Sequence, residues 1–285
     1  MEYLVCQDIE NVIEILGMSQ DDLALVLGVS RATVINWLSG KTKITNETLS
    51  RFYEYAFENG VRLNRIKGQF YNEENRSKND VILFHGAKKS IEGQLSLDYC
   101  KPINDFGRGF YCGESLEQSA MFVASYPDPS LYILKFNKSG LRHREYEVDR
   151  DWMLMVAYHR GRLKGYEEAG LIKTLVKKDD KADYIIAPIA DNRMYEIIDS
   201  FIDGEITDVQ CQHCLSATDL GRQYVMVTPR ALEQVTILEK CFLSGLEKEY
   251  YLDLRHESNR VNMDKVKLAR KQYRNQGNYI EDILK

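Results

Sequence analysis

The sequence predicts an α+β protein in which an all-helical N-terminal domain precedes a domain of irregularly mixed strands and helices. Three observations predict it. Residues 1–66 carry helical apolar spacing punctuated by capping residues, apolar runs of strand length begin at Val81, and the helical stretches between those runs lack the regular alternation of a doubly wound sheet. At 285 residues with 44% hydrophobic content, the chain is long enough for two domains with real cores. The expected divisions are a helical domain over 1–66, a linker over 67–80, a mixed domain over 81–240 and a helical tail over 241–285.

Ser19-Gln20-Asp21-Asp22 has the form of a capping box, in which Ser19 bonds orphan N–H groups and Asp22 reaches back, so a helix starts there. Leu23, Ala24 and Leu27 share one face of it. Gly28 permits the left-handed conformation that ends a helix, and Ser30 caps a second one carrying Val34, Trp37 and Leu38. Two short helices joined by such a turn make a helix-turn-helix. A third helix from Asn46 places Leu49, Phe52, Tyr53 and Ala56 together. The stretch GQFYNEENRSKND that closes 67–80 is polar and turn-rich, and reads as the linker.

Beyond it, Val81–Phe84, Leu131–Phe136, Tyr184–Ile189 and Gln223–Thr228 are the expected strands, and Glu114–Ala124, Trp152–Gly161, Arg193–Ile202 and Val261–Gln272 the expected helices. No strand runs into a dinucleotide-binding glycine pattern, so Gly107 and Gly109 do not mark a Rossmann site.

Charge and composition narrow the function classes. Over residues 1–60, nine acidic side chains face four basic ones (Arg31, Lys41, Lys43, Arg51), which disfavours tight DNA binding by this domain alone because phosphate neutralisation supplies most such affinity. No apolar run approaches the roughly 20 residues of a membrane span, and the N-terminus is acidic where a signal peptide is basic, so a cytoplasmic protein without a membrane partner is expected. Six scattered cysteines then read as reduced thiols. Cys211-x-His213-Cys214 falls short of four zinc ligands, and no metal is expected.

Two resemblances add to this reading. The string SQDDLALVLGVSRATVINWLSGKT resembles the phage-repressor-like helix-turn-helix family, over about the first 58 residues. That likeness implies operator DNA as a partner, with Arg31, Ala32, Thr33 and Asn36 facing bases, Gln20 at the backbone, and a homodimer as the binding form; the alternative is a module that binds a partner protein. The second covers roughly residues 81–240. FHG at 84–86, FGRGFY at 106–111 and SLEQSAMF at 115–122, followed by DWMLMVAYHR at 151–160, DYIIAPIADNRMY at 183–195 and GRQYVMVTPRALEQVTIL at 221–238, resemble bacterial toxin-like domains of the diphtheria-toxin and poly(ADP-ribose) polymerase clan.

This second resemblance implies an ADP-ribosyltransferase-like split sheet that binds NAD and cleaves its nicotinamide bond. His85 would bond ribose hydroxyls, and Gly86 would offer backbone groups to the carboxamide. Tyr111 and Phe122 would supply ring faces, Ser119 would bond the carboxamide, and Arg108 would fork onto the pyrophosphate. If the segment from Glu114 is helical, Ser119 and Phe122 are three apart and share a face. The third catalytic position, often Glu in the clan, corresponds to Gln223, which can orient ribose but offers no charge or base. Asp191 is a candidate for that missing charge, Asp105 and Arg160 sit in matching segments, and Trp152 is expected in the core. The implied activity is transfer of single ADP-ribose units to a nucleic acid or protein. Its implied setting is an intracellular toxin, in a toxin–antitoxin or phage-defence system with an antitoxin protein as partner. The alternatives are a non-enzymatic DNA-binding regulator that senses NAD and an NAD glycohydrolase.

Overall fold

A computed structural model describes residues 2–285, Asn192 through its backbone only, and the protein is α+β. Five helices come first: α1 (Val5–Leu16), α2 (Gln20–Leu27), α3 (Arg31–Leu38), α4 (Asn46–Glu58) and α5 (Leu63–Glu74). Strand β1 (Asp80–Ala87), strand β2 (Phe110–Gly113), helix α6 (Leu116–Val123), strand β3 (Ser130–Asn137) and strand β4 (His143–Glu145) follow. Helices α7 (Arg150–His159) and α8 (Gly170–Asp179) lead to β5 (Tyr184–Pro188), and α9 (Asn192–Ile202) and α10 (Asp208–Ser216) lead to β6 (Arg222–Met226). The chain ends with α11 (Pro229–Leu232), β7 (Val235–Cys241), α12 (Gly245–Gln272) and α13 (Ile280–Leu284).

The chain divides into two compact units. The first takes residues up to Gly93 with Leu116–Phe136 and Thr236–Leu254, and the second takes Gln94–Ser115, Asn137–Val235 and Arg255–Lys285.

In the first unit the helix-turn-helix forms as its caps dictate. Ser19 and Asp22 complete the capping box, Gly28 ends α2 at φ 66°, and the Ser30 side chain accepts from the Thr33 N–H. Ile9, Leu23, Leu27, Val34, Trp37, Leu49 and Phe52 close its core. Strands β1, β3 and β7 lie in the order β1-β3-β7, and α6 packs Leu116, Ala120 and Val123 onto Ile82 and Phe84 of β1. Residues 67–74, expected in the linker, instead belong to α5. Its buried positions Leu63, Asn64, Lys67 and Gly68 recur with helical spacing, but two of the four are polar, which hid the periodicity.

Those two polar residues reach partners far away in the chain. Lys67 Nζ lies 2.9 Å from both carboxylate oxygens of Asp8 on α1 and 2.7 Å from Glu239 Oε1 on β7. Tyr53 donates to the same Asp8, and Tyr71 to Glu239 at 3.2 Å. Burial works against the lysine's charge, but the facing anionic groups outweigh it and raise its pKa above the ordinary lysine value. Asn64 Nδ2 donates to the Phe242 carbonyl at 2.7 Å and to both oxygens of buried Glu247 at 3.1 Å.

Glu247 supplies a pH test. Burial raises its pKa from 4.5 to about 7, so between those values the folded state keeps a proton that the unfolded state has lost. This group's stabilising contribution is therefore complete below pH 4.5 and lost as pH rises to about 7. In denaturant titrations across that window, Glu247→Gln should show a shallower decline than the parent. Parallel curves would mean that Glu247 titrates normally.

In the second unit the strands run β4-β5-β6-β2. β4 and β5 are parallel and are joined through α7 and α8, as a parallel pair requires a crossover, while β6 is antiparallel to both β5 and β2. Trp152, Met153 and Val156 of α7, Ile172 of α8, Ile198 and Phe201 of α9, and Ile185 and Val225 fill the core. The helical tail supplies the rest: Ile280 and Leu284 of α13 are buried there. No helix among the described residues is long and apolar enough to cross a membrane.

Candidate functional site

The first unit holds four of the candidate residues. Ile82, Leu83 and Phe84 bury β1, which sets His85 half-buried within the strand, its ring 6.5 Å from that of the fully buried Tyr132. Tyr132 is itself fixed, because its hydroxyl accepts the Ile91 N–H at 2.7 Å. A Cβ on Gly86 would stand 2.5 Å from the Ser119 carbonyl oxygen and 2.8 Å from Val123 Cγ1, so α6 can sit against β1 only over a glycine. Ser119 turns toward the strand and donates from Oγ to the Phe84 carbonyl at 3.2 Å. Phe122 is 65% exposed, because Leu116, Ala120 and Val123 take the packed side of the helix.

The second unit holds the others, around a buried carboxylate. Asp105 lies in the loop before β2 and is 3% exposed. Arg160, one residue past α7, approaches Asp105 Oδ1 with Nε at 2.9 Å and also with Nη2, and Nη2 donates to the Ala190 carbonyl at 2.7 Å. The Arg160 guanidinium rests 4.0 Å from the centre of the Tyr195 ring, a cation–π placement. On the far side of Asp105, Oδ2 accepts from Gln223 Nε2 at 2.9 Å and from the Ala190 N–H at 3.3 Å. Gln223 Nε2 also donates to the Pro188 carbonyl at 3.0 Å.

Tyr111 is tied to the same loop. Its hydroxyl donates to the Gly107 carbonyl at 2.9 Å and accepts the Phe106 N–H at 3.0 Å, and burial pushes its pKa far up, so it stays a neutral phenol. The strand register sets its relation to Gln223. Tyr111 pairs with Val225 and Gly113 with Gln223, which places Tyr111 and Gln223 as diagonal neighbours on one face of the β2–β6 pair.

Other candidates have local duties. Arg108 spends Nη1 on the carbonyls of Leu97, Asp98 and Cys100 at 3.1–3.3 Å, holding the short 3-10 turn at Leu97–Tyr99. Asp191 Oδ1 accepts from the N–H groups of Arg193 and Met194, so the carboxylate considered for the missing charge caps α9 instead. Trp152 is fully buried, as expected. Cys211 and Cys214 direct their thiols to the Ile197 and Val266 carbonyls, and His213 stacks on Tyr273 at 3.5 Å. Among the described residues no group of three His, Cys, Asp or Glu side chains could hold a metal.

The sequence reading missed two features. Asp105 was visible only as part of a matching segment, since its arginine is 55 positions away and no local pattern joins them. His159, beside Phe106 and Gly107, was not singled out. Burial lowers its pKa to about 4, and its Nε2 has no partner among the described residues. On α3, Arg31 and Ala32 are exposed, Thr33 and Asn36 are half-buried, and Arg31 Nε sits 3.6 Å from Asp21; Gln20 opens α2.

Two families match the chain: Helix-turn-helix over residues 9–52, and Protein of unknown function (DUF3990) over residues 81–237. No curated protein and no solved structure matches it.

Proposed function

The chain belongs to the DUF3990 family, so its chemistry has to be argued from its own residues, and we propose that it is a mono-ADP-ribosyltransferase that takes ADP-ribose from NAD. In that reaction the bond between ribose C1′ and the nicotinamide nitrogen breaks and its electron pair leaves on neutral nicotinamide. The acceptor's nucleophile bonds to C1′ and gives up its proton. Positive charge grows on the sugar, as in glycoside cleavage. The reaction asks for groups that position ribose and nicotinamide more than for strong acids or bases.

The observation that carries the reading is the shared face of Tyr111 and Gln223 on β2–β6. Both are neutral, and both are immobilised by hydrogen bonds to one loop. By resemblance, Tyr111 gives a ring face to nicotinamide and Gln223 accepts from a ribose hydroxyl, while His85 and Gly86 on β1 take the roles of ribose and carboxamide binding. Ser119, with its hydroxyl already on Phe84, and the exposed Phe122 have secondary parts in this proposal. A neutral third position fits single transfer better than chain elongation. For the N-terminal helices, the exposure of Arg31 and Ala32 on α3 supports operator DNA as a ligand, so DNA is the first acceptor to examine.

The test incubates the full chain with labelled NAD and separate pools of cellular protein, DNA and RNA, following nicotinamide release and label transfer. Label should enter one pool, and His85→Ala should lower both signals by roughly a hundredfold. If DNA is the acceptor, Arg31→Ala with Asn36→Ala should lower DNA labelling and the nicotinamide release that accompanies it, while NAD binding is unchanged. Release without label would assign a glycohydrolase. NAD binding without release would assign the sensor, and unchanged turnover in His85→Ala would discard the site.

A further inference from the structure

Resting on the transferase reading, we infer that Asp105 is a positioning residue that fixes the Gln223 amide with its oxygen, not its nitrogen, presented to ribose. An amide can turn over and exchange a donor for an acceptor, and only its surroundings decide which end faces out. Here the surroundings leave one solution. The two groups on its inner side, Asp105 Oδ2 and the Pro188 carbonyl, both accept hydrogen bonds only, so both N–H bonds of Nε2 point inward. Oε1 is left on the opposite end. Donating to a carboxylate also polarises the amide and makes its oxygen a better acceptor. Arg160 holds the Asp105 carboxylate in place, and Arg160 and Asp105 together clasp both backbone groups of Ala190.

The same geometry explains glutamine rather than glutamate at this position. A carboxylate at 223 would face Asp105 and the Pro188 carbonyl with no proton between them. The charge that many clan members carry on this strand sits one residue deeper here, on Asp105, and reaches the sugar through the Gln223 amide.

Asp105→Asn tests the inference, because it preserves shape and reverses the pattern. Arg160 has only donors, so it claims the new Oδ1 and leaves the new Nδ2 facing Gln223, whose amide loses one acceptor, keeps only the Pro188 carbonyl and is no longer held in one orientation. Two readouts follow. With 15N-glutamine-labelled full-length protein, the Gln223 side-chain N–H signals should exchange slowly with solvent in the parent and quickly in the variant. Turnover, read as nicotinamide release, should fall about tenfold in kcat with KM for NAD little changed, the signature of an interaction strengthened in the transition state. Gln223→Met keeps the Arg160–Asp105 pair and side-chain volume, and should show the same kcat loss if Asp105→Asn does not fold. Equal kcat in the parent and in the folded variants, or slow exchange that survives Asp105→Asn, would overturn the inference. A parent protein that binds NAD and releases no nicotinamide would overturn the transferase reading instead, and the exchange measurement would still judge the anchoring of the amide.

Discussion

Replacing Lys67 with alanine is expected to destabilise the first unit by about 3–5 kcal/mol, the cost of stranding buried charge without its partner. The lysine is 5% exposed and lies between Asp8, at 1%, and Glu239, at 3%. Removing its ammonium leaves two carboxylates beside each other, with the hydroxyls of Tyr53 and Tyr71 still donating to them. Lys67 also joins three elements remote in sequence: α5 carries it, α1 carries Asp8 and β7 carries Glu239. The loss should therefore appear in two places at once. Hydrogen exchange should quicken in α1 and in β7 together, and the denaturant midpoint should fall. Replacing the trio at once, as Lys67→Met, Asp8→Asn and Glu239→Gln, should recover part of the loss, because no net charge then remains buried. A shift below about 1 kcal/mol for Lys67→Ala would show that water reaches the carboxylates easily. Faster exchange in only one of the two elements would show that the cluster does not hold them together.

Gly86→Ala is expected to cost about 1–3 kcal/mol, the range for forcing an extra methyl group into a packed site. The new Cβ would fall 2.5 Å from a backbone oxygen on α6, which cannot swing aside as a side-chain tip can. Either α6 lifts from β1 or the strand bends. Both movements disturb Ser119 and the strand that carries His85. This variant also separates two reasons for the glycine. If packing requires it, thermal stability falls whether or not NAD is present. If room for a ligand requires it, stability stays near that of the parent and only NAD binding is lost. Unchanged stability together with unchanged NAD binding would remove Gly86 from both accounts.

Much of the fold is legible residue by residue. Ser19 and Asp22, Ser30, and Gly28 act across three or four positions, so the ends of α2 and α3 follow from local hydrogen bonds. Apolar runs placed β1, β3, β5 and β6, because a buried strand needs an uninterrupted hydrophobic segment and the chain has few. Strands β2 and β4, of 4 and 3 residues, are too short to show a pattern, and they exist because β6 and β5 hold them by backbone bonds. Of the candidate site, the motif segments were readable, including the residues on β1, β2, α6 and β6. Their allegiances were not. Gln223 bonds Asp105 across 118 positions, and Arg160 reaches the same carboxylate across 55. Lys67 was misplaced in a linker because a lysine is ordinarily exposed, and only the arrival of Asp8 and Glu239 from either end of the chain makes its burial possible. The sequence by itself determined the helix caps and the apolar strands, because those depend on neighbours within a turn or a strand. Only the tertiary structure decided which charges meet, which amide end faces outward and which glycine a helix needs, because a buried polar group is tolerated only where the fold brings its partner to within hydrogen-bond reach.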